Sequence, residues 1–149
     1  MCSSDLNYAG IPLTHRDVCS SFTVFTGHED PEKAESQLDW SALAKNGTKV
    51  ILMGVERLEA ITSRLIAHGL PESTPAAMIR WGTTSRQESL VATAGTLAKL
   101  AAERQFSAPA IVVIGGVVGL RDQLNWFEHR PLFGQRIIVT RTREQSSEL

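Results

Sequence analysis

The fold is decided by residues 49–70, KVILMGVERLEAITSRLIAHGL, which join a strand pattern to a helix pattern. Residues 50–53 are continuously apolar and begin with β-branched side chains. This predicts a strand covered on both faces, although a buried helix segment has the same pattern. After Gly54, apolar residues recur every three or four positions and predict an amphipathic helix: Val55, Leu58, Ile61, Leu65 and Ile66. Gly69 supplies a common helix stop.

The turn between the two patterns, at Met53 and Gly54, is the first candidate ligand site. In open α/β sheets, ligands lie beyond the carboxyl ends of strands, which is where this turn is expected. A glycine lets a ligand approach the backbone, and a methionine offers a polarizable apolar contact, so the pair suits a cofactor. A core methionine beside a turn glycine explains the same residues, and on pattern alone we favour that simpler interpretation.

Further segments on both sides of this unit predict a sheet with helices. Apolar, β-branched or aromatic runs indicate four more strands: 21–26, 75–82, 89–93 and 110–114. Residues 96–105 have a helical pattern, and residues 32–43 predict a loop or a short helix. Strands that alternate with helices indicate the α/β class. Since some connections are too short for parallel crossovers, we expect a mixed sheet flanked by helices.

A separate unit is predicted near the end of the chain. Residues 136–140, RIIVT, have a strand pattern, and residues 142–145, TREQ, resemble a capping box that opens a helix. That helix would be only about seven residues long, whereas an isolated helix needs roughly 12–15. We therefore expect residues 129–149 to be a linker and the truncated start of a second domain. The chain is then a fragment of a longer protein.

Composition argues against several classes of protein. Fifteen basic and sixteen acidic residues give a net charge of −1, which does not favour a nucleic-acid-binding surface or a polybasic membrane patch. The longest apolar run, residues 108–120, is interrupted by proline and glycine, so no transmembrane helix is predicted. The first ten residues lack a signal-peptide pattern. Cys2 and Cys19 have no metal-ligand spacing, so we expect free thiols in a reducing cytoplasm.

Among four further segments, two are candidate sites with a simpler alternative, and two are not favoured as sites. Residues 82–84, GTT, offer backbone donors and hydroxyls for a ribose or carboxylate, or form a plain polar turn. Residues 115–119 lack the Gly-Lys-Ser/Thr ending of a phosphate loop. Residues 28–30, HED, are not expected to hold a metal, because adjacent residues rarely converge on one ion. Arg16 is placed to clamp a carboxylate, and a solvated pair with Asp17 is an equally good interpretation.

These segments, in this order, resemble the uroporphyrinogen-III C-methyltransferases of the tetrapyrrole methylase family. The matching pieces are YAGIPLTHRD (8–17), FTGH (25–28), LDW (38–40), LMG (52–54), LIAHGLP (65–71), WGTTSRQ (81–87), ATAGTLAKL (92–100), PAIVVIG (109–115) and LNWFE (124–128). The resemblance covers residues 8–128 and corresponds to the C-terminal lobe of those enzymes. Residues 130–149 resemble the start of uroporphyrinogen-III synthase, which some organisms carry fused behind the methyltransferase.

The resemblance implies an activity and a set of site residues. It implies methyl transfer from S-adenosylmethionine to uroporphyrinogen III, giving precorrin-2 for sirohaem and cobalamin biosynthesis, by a cytoplasmic homodimer. It assigns five residues to the cofactor: Met53, Gly54, Gly82, Thr83 and Ala110. Arg16 matches an arginine that binds the substrate, which is consistent with the many carboxylates of uroporphyrinogen.

The chain also departs from the family pattern. Leu52 stands where the family commonly has tyrosine, and Gly116 where it commonly has glutamate. The N-terminal lobe, with a glycine-rich cofactor loop and the proposed acid–base residues, has no counterpart here, so no catalytic residue is assigned. Methyl transfer needs its reacting groups held in line, so we expect the isolated chain to be inactive. The alternatives are that the relevant activity belongs to the fused synthase, or that the chain is a non-catalytic module for dimerisation or tetrapyrrole binding.

Overall fold

The computed structural model describes residues 2–27, 37–138 and 140. The helices are α1 (Cys2–Tyr8), α2 (Trp40–Lys45), α3 (Leu58–Ala67), α4 (Leu97–Glu103) and α5 (Arg121–Leu124), and a 3₁₀ turn spans Gly116–Leu120. The strands are β1 (Phe22–Thr26), β2 (Thr48–Leu52), β3 (Pro75–Arg80), β4 (Glu88–Thr93) and β5 (Ala110–Ile114).

The five strands form one mixed sheet in the order β1-β2-β5-β3-β4. Strands β1 and β2 are parallel, while β5 is antiparallel to both of its neighbours and β4 is antiparallel to β3. Strands β1, β2 and β3 therefore point the same way. We call the end where they finish, at Thr26, Leu52 and Arg80, the carboxyl end of the sheet; β4 and β5 begin there. The prediction of a mixed α/β sheet flanked by helices is confirmed.

The central unit forms as its pattern predicts. In β2, Thr48 to Ile51 are all buried, which fits a strand covered on both faces and excludes a buried helix segment. Helix α3 turns Leu58, Ile61 and Leu65 towards the core. The helix ends at Ala67, and Gly69 follows with a φ of +103°, so that Leu70 N–H donates to the carbonyl oxygen of Leu65 at 3.0 Å. This left-handed glycine ending is a common way to satisfy the last carbonyls of a helix.

Each face of the sheet has its own apolar cluster. One face packs against α2, α3 and α4, and its buried side chains include Phe25, Ile51, Leu65, Met78, Leu97, Val112 and Ile114. The other face is covered by α1, the segment that follows it and the 3₁₀ turn, and its buried side chains include Leu6, Ile11, Val50, Ile79, Val113 and Val117. Fully burying such a side chain contributes about 1.5–3 kcal/mol, so both layers are needed for a stable sheet.

The strand predicted near the end of the chain needs correction, while the expectation of a second domain there stays a prediction. The predicted strand at 136–140 is not formed at residues 136–138, where Ile138 is 82% exposed and no described strand pairs with the segment. The predicted capping box lies outside the described residues, as do residues 28–36. Residues 131–134 form turns, and Phe133 packs against Phe127 with ring centroids 5.2 Å apart. This segment thus contacts the sheet unit.

Candidate functional site

Two of the predicted site residues meet at the carboxyl end of the sheet. Ala110 pairs with Arg80 of β3, and Ile51 of β2 pairs with Val112. Continuing that antiparallel register by two residues brings Met53 opposite Ala110. Both residues line one open cavity of about 460 Å³, together with Val55, Glu56, Ala108 and Pro109. The structure therefore brings together Met53 and Ala110, which lie far apart in the sequence.

A second cavity extends this one along the surface. It has a volume of about 880 Å³ between α3 and α4, and its walls include Ala98, Ala102 and Phe106. Val55 and Glu56 line both cavities, so the two form one continuous groove. Cavities of about 300–1,000 Å³ with mostly apolar walls are typical of small-molecule sites. We call this feature the carboxyl-end groove.

Left-handed backbone conformations are concentrated at this end of the sheet. In the described residues, four non-glycine residues have a positive φ: Met53 (52°), Trp81 (51°), Thr83 (66°) and Gln105 (51°). Met53 follows β2, Trp81 and Thr83 follow β3, and Gln105 lies in the connection that leads to β5. Each such residue costs about 1–3 kcal/mol, and this kind of strain clusters at ligand sites. The sequence pattern did not indicate that these residues have a positive φ.

Met53 and Gly54 turn out to have different surroundings. The Met53 side chain is 68% exposed, so the interpretation of a core methionine is wrong. Gly54 is buried, and a Cβ there would lie 2.6 Å from Cγ2 of Ile51. A Cβ on Gly27 would lie only 2.5 Å from Cα of Gly54. The two glycines therefore allow the loops after β1 and β2 to touch. The contact of Gly54 with a cofactor stays a prediction.

The turn after β3 lies at the same end of the sheet but does not line the cavity that Met53 shares with Ala110. A Cβ on Gly82 would lie 2.8 Å from the Asp5 side chain, so α1 packs directly on this turn. The Thr83 N–H donates to Oε1 of Gln87 at 2.9 Å and is thus used inside the protein. The Thr84 hydroxyl donates to the carbonyl oxygen of Trp81 at 2.7 Å. Gly82 and Thr83 remain predicted cofactor residues.

Arg80 lies between the turn after β3 and the wall of the groove and contacts both. Its guanidinium lies 4.3 Å from the ring centroid of Trp81 and 4.6 Å from that of Phe106. It also forms an ion pair with Glu88 at 2.5 Å. A cation held between two rings and a carboxylate is strongly restrained. Sequence reasoning missed Arg80, because an arginine at a strand end carries no signal of its own.

Arg16 lies at the opposite end of the sheet. It is exposed at the tip of a turn closed by a β-bridge between His15 and Cys19. The Thr48 hydroxyl, at the start of β2, donates to Sγ of Cys19 at 3.6 Å. Five residue steps along the strand separate Thr48 from Met53 by about 16 Å, at about 3.3 Å per residue. The structure therefore does not bring Arg16 to the groove, and its role in substrate binding stays a prediction.

Comparison with known proteins identifies the family. Residues 3–98 match the profile of the family described as Tetrapyrrole (Corrin/Porphyrin) Methylases. The chain belongs to the tetrapyrrole methylase family.

Individual members of the tetrapyrrole methylase family are also similar. The chain is 52% identical over 118 residues to the S-adenosyl-L-methionine-dependent uroporphyrinogen III methyltransferase of Methanosarcina barkeri, covering 78% of this chain and 46% of that protein. It is 41% identical over 143 residues to the uroporphyrinogen-III C-methyltransferase of Bacillus subtilis, covering 95% of this chain and 29% of that protein. The chain thus spans less than half the length of these relatives.

A solved structure of a tetrapyrrole methylase has the same fold. It is the uroporphyrin-III C-methyltransferase of Thermus thermophilus in complex with S-adenosylhomocysteine, with a TM-score of 0.65 and 26% sequence identity. The match covers 78% of this chain and 51% of that one.

A buried polar cluster lies behind the Gly82–Thr83 turn of this tetrapyrrole methylase chain. Glu128 accepts hydrogen bonds from Gln87 at 2.9 Å and Ser89 at 2.7 Å through one oxygen. Its other oxygen accepts from Arg121 at 2.5 Å and Asn125 at 3.2 Å. Burial acts to raise the pKa of Glu128, but the hydrogen bonds from Gln87, Ser89 and Arg121, with the charge of Arg121, outweigh it and lower the pKa. Sequence reasoning missed this cluster.

Neither a metal-binding cluster nor a membrane-spanning helix is found in the part of the chain that the structure describes. Among residues 2–27, 37–138 and 140, no group of three or more His, Cys, Asp or Glu side chains is placed to hold a metal ion. Over the same residues, no helix is long and apolar enough to cross a membrane. The candidate metal cluster at 28–30 lies outside the described residues.

Proposed function

We propose that this chain supplies the C-terminal lobe of an S-adenosylmethionine-dependent uroporphyrinogen-III C-methyltransferase. Its carboxyl-end groove forms one wall of the cofactor site. The observation that carries the proposal is the meeting of Met53 and Ala110 in one cavity, because both were assigned to the cofactor from separate motifs. The names of the relatives from Methanosarcina and Bacillus support the same activity.

The residues of the groove suit this cofactor. Met53, Val55 and Pro109 provide apolar surface for an adenosyl group, and the Glu56 carboxylate at the rim favours a ligand with positive charge. When bound, S-adenosylmethionine supplies an electrophilic methyl group on a sulfonium. The residues of this chain bind and orient it and exclude water from one side. The left-handed backbone at Met53 fixes the direction of that side chain before the ligand arrives.

The predicted substrate residue is compatible with this arrangement despite its position. Uroporphyrinogen III carries carboxylates around its whole rim, so an arginine remote from the reacting carbon can still bind one of them. Arg16 is exposed and therefore free to form a bidentate pair with such a carboxylate. In this proposal Arg16 contributes to substrate affinity and takes no part in methyl transfer.

The proposal also covers the domain organisation, oligomeric state and location of the protein. Residues 1–128 belong to the methylase domain, and residues 129–149 lead towards a uroporphyrinogen-III synthase domain. The resemblance of residues 130–149 to the start of that synthase is what supports this part of the proposal. A homodimer in the cytoplasm is part of the same proposal. Catalysis requires the part of the relatives that this chain does not span, so the chain alone is inactive.

A titration followed by NMR tests the cofactor site. S-adenosylhomocysteine added to the 149-residue chain should shift the signals of Met53, Val55 and Ala110 with a Kd near the millimolar range, about −4 kcal/mol, because half a site binds weakly. Micromolar binding would contradict the half-site part of the proposal. No shift at these residues would contradict the site itself. Binding of uroporphyrin without any binding of S-adenosylhomocysteine would favour a non-catalytic tetrapyrrole-binding module.

A reconstituted enzyme tests the activity. The chain joined behind the N-terminal half of the Methanosarcina relative should methylate uroporphyrinogen III, which is followed by the absorbance of the oxidised product. The chain alone should give no product. A correctly folded fusion that binds S-adenosylmethionine but does not methylate uroporphyrinogen III would rule out the proposed substrate.

A further inference from the structure

We propose that Gln87 is a positioning residue for the cofactor, because it holds the strained turn at Trp81, Gly82 and Thr83 in the conformation that meets the ligand. Glu128 in turn fixes the orientation of Gln87. This inference rests on the proposed function and names residues that the motifs had not assigned to it.

Gln87 uses every polar group of its side chain. It is only 3% exposed, and its Oε1 accepts the Thr83 N–H at 2.9 Å. Its Nε2 donates to the Glu128 carboxylate at 2.9 Å and to the carbonyl oxygen of Tyr8 at 3.2 Å. Thr83 N–H is a donor, whereas the other two partners are acceptors. Only one orientation of the amide therefore satisfies all three contacts.

Glu128 keeps that orientation fixed at neutral pH. Its side chain is 17% exposed and accepts hydrogen bonds from four side chains, one of them Arg121. Arg121 also donates to the carbonyl oxygen of Ala9 and so ties the cluster to the end of α1. Because the pKa of Glu128 is lowered, the carboxylate is charged and acts as an acceptor towards Gln87. Hydrogen-bond networks of this kind restrain the side chains that they join, and within this one Asn125 Oδ1 is buried without a hydrogen-bond partner among the described residues.

The turn needs this support because its backbone is unfavourable. Trp81 and Thr83 both have a positive φ, at a cost of about 1–3 kcal/mol each. The hydrogen bond to Gln87 offsets part of that cost, since such a bond contributes about 0.5–1.5 kcal/mol. It also directs the Thr83 N–H inwards, which leaves the exposed threonine side chain facing outwards. Without Gln87, we expect the turn to relax to an ordinary conformation that no longer matches the ligand.

Two variants separate positioning from general stability. Gln87→Met keeps the length of the side chain and removes its hydrogen bonds. Ser89→Ala removes a hydrogen bond to the same Glu128 oxygen but leaves the bond between Gln87 and Thr83 intact. In the full chain, Gln87→Met should speed hydrogen exchange of the Thr83 amide at least tenfold. It should also lower the initial slope of the NMR shift with S-adenosylhomocysteine at least fivefold. In Ser89→Ala, the exchange rate of the Thr83 amide and the initial slope of the NMR shift should both stay within twofold of the wild-type values.

A third variant adds a readout that a purely structural role would not give. In Gln87→Glu, the introduced carboxyl faces Glu128, so the like charge raises its pKa. When protonated, it can accept from Thr83 and donate to Glu128, as Gln87 does. We expect weak binding of S-adenosylhomocysteine at pH 8 and at least threefold recovery at pH 5, while the wild type changes less than twofold. Absence of this recovery would contradict the proposal.

The failures of the two proposals can be told apart. If the wild-type chain shows no shift with S-adenosylhomocysteine, the proposed function fails and this inference fails with it. If the wild type binds and Gln87→Met binds equally well, the inference alone is overturned. Equal losses of affinity in Gln87→Met and Ser89→Ala would also overturn it, because the effect would then follow the stability of the cluster.

Discussion

The two ends of the sheet differ in backbone conformation and in the exposure of their side chains. The carboxyl end contains four left-handed residues, of which Met53 and Gln105 line the groove, and Met53 presents its side chain to solvent. At the opposite end, Lys49 is 4% exposed and donates to the carbonyl oxygen of Gly47 at 2.9 Å, and Cys19 donates to that of Ser21 at 2.9 Å. At the carboxyl end, backbone strain lies beside open space, whereas at the opposite end these two polar side chains are bonded within the protein. Backbone strain beside an open groove is a mark of a ligand site.

Electrostatics follow the same division. Burial lowers the pKa of Lys49, while a charged Cys19 thiolate would raise it. Burial acts to raise the pKa of Cys19, but hydrogen bonds to Ser21 and Thr48 and the charge of Lys49 lower it overall. These groups act on one another within the protein. At the carboxyl end, by contrast, the Glu56 carboxylate lies exposed at the rim of the groove.

The largest effect on stability is expected where the loops of the carboxyl end touch. In Gly27→Ala, the new Cβ would lie 2.5 Å from Cα of Gly54 and 2.7 Å from Cδ1 of Ile61, so the backbone must move. We expect a loss of about 3 kcal/mol in the free energy of unfolding, measured by urea denaturation. Gly119→Ala is the control, since nothing lies within 4 Å of its Cβ position. A loss below about 1 kcal/mol for Gly27→Ala would show that this end is not tightly packed.

A smaller effect, dependent on pH, is expected for Glu128→Gln. The variant weakens the pairing with Arg121 and should lose about 2 kcal/mol at pH 7, a typical value for hydrogen bonds to a charged group. Since the folded-state pKa of Glu128 is lowered, its contribution is present above the unfolded pKa of about 4.3 and is lost as pH falls through the folded pKa.

Urea denaturation at pH 7 and pH 3 measures this difference. The gap between wild type and Glu128→Gln should narrow at pH 3. Glu88→Gln is the control, because the Glu88 side chain is half exposed and its pair with Arg80 should contribute less. A gap that widens on acidification would contradict the lowered pKa of Glu128.

Relief of strain at Met53 should separate stability from binding. Met53→Gly removes the left-handed cost of about 1–3 kcal/mol but adds the backbone entropy of glycine, about 0.5–1 kcal/mol. We expect a gain in the free energy of unfolding of between about 0 and 2.5 kcal/mol, seen as a higher Tm, with binding of S-adenosylhomocysteine weakened severalfold. Met53→Leu keeps an apolar side chain. Its Kd for S-adenosylhomocysteine should stay within about threefold of the wild-type value, a change of under 1 kcal/mol. Unchanged binding by Met53→Gly would remove Met53 from the site.

The smallest effect on stability is expected at the opposite end. Arg16→Ala changes an exposed turn and should alter the free energy of unfolding by less than about 0.5 kcal/mol. In the reconstituted enzyme it should weaken tetrapyrrole binding more than cofactor binding, measured by parallel titrations. Lys45→Ala, an exposed charge at the end of α2 and away from the groove, is the control. A larger loss for the cofactor than for the tetrapyrrole would contradict the assignment of Arg16.

Local sequence patterns predicted a helix or strand correctly where the spacing of its own apolar residues determines which side is buried. The run at 50–53 and the spacing of Leu58, Ile61 and Leu65 placed β2 and α3, because burial of those side chains depends on local periodicity. The same reasoning failed at residues 136–138. A β-branched run forms a strand only when a neighbouring strand pairs with it, and none of the described strands pairs with residues 136–138.

The sequence by itself determined the family, the mixed α/β sheet and the positions of Met53, Ala110 and Gly82 at strand ends. Only the tertiary structure decided that Met53 is exposed in a left-handed conformation, that it shares a cavity with Ala110, and that Arg16 lies at the opposite end. The physical reason is the range of the interactions. Periodicity acts within one element, whereas cavities, register and a contact such as that of Gln87 with Glu128 depend on residues brought together from distant parts of the chain.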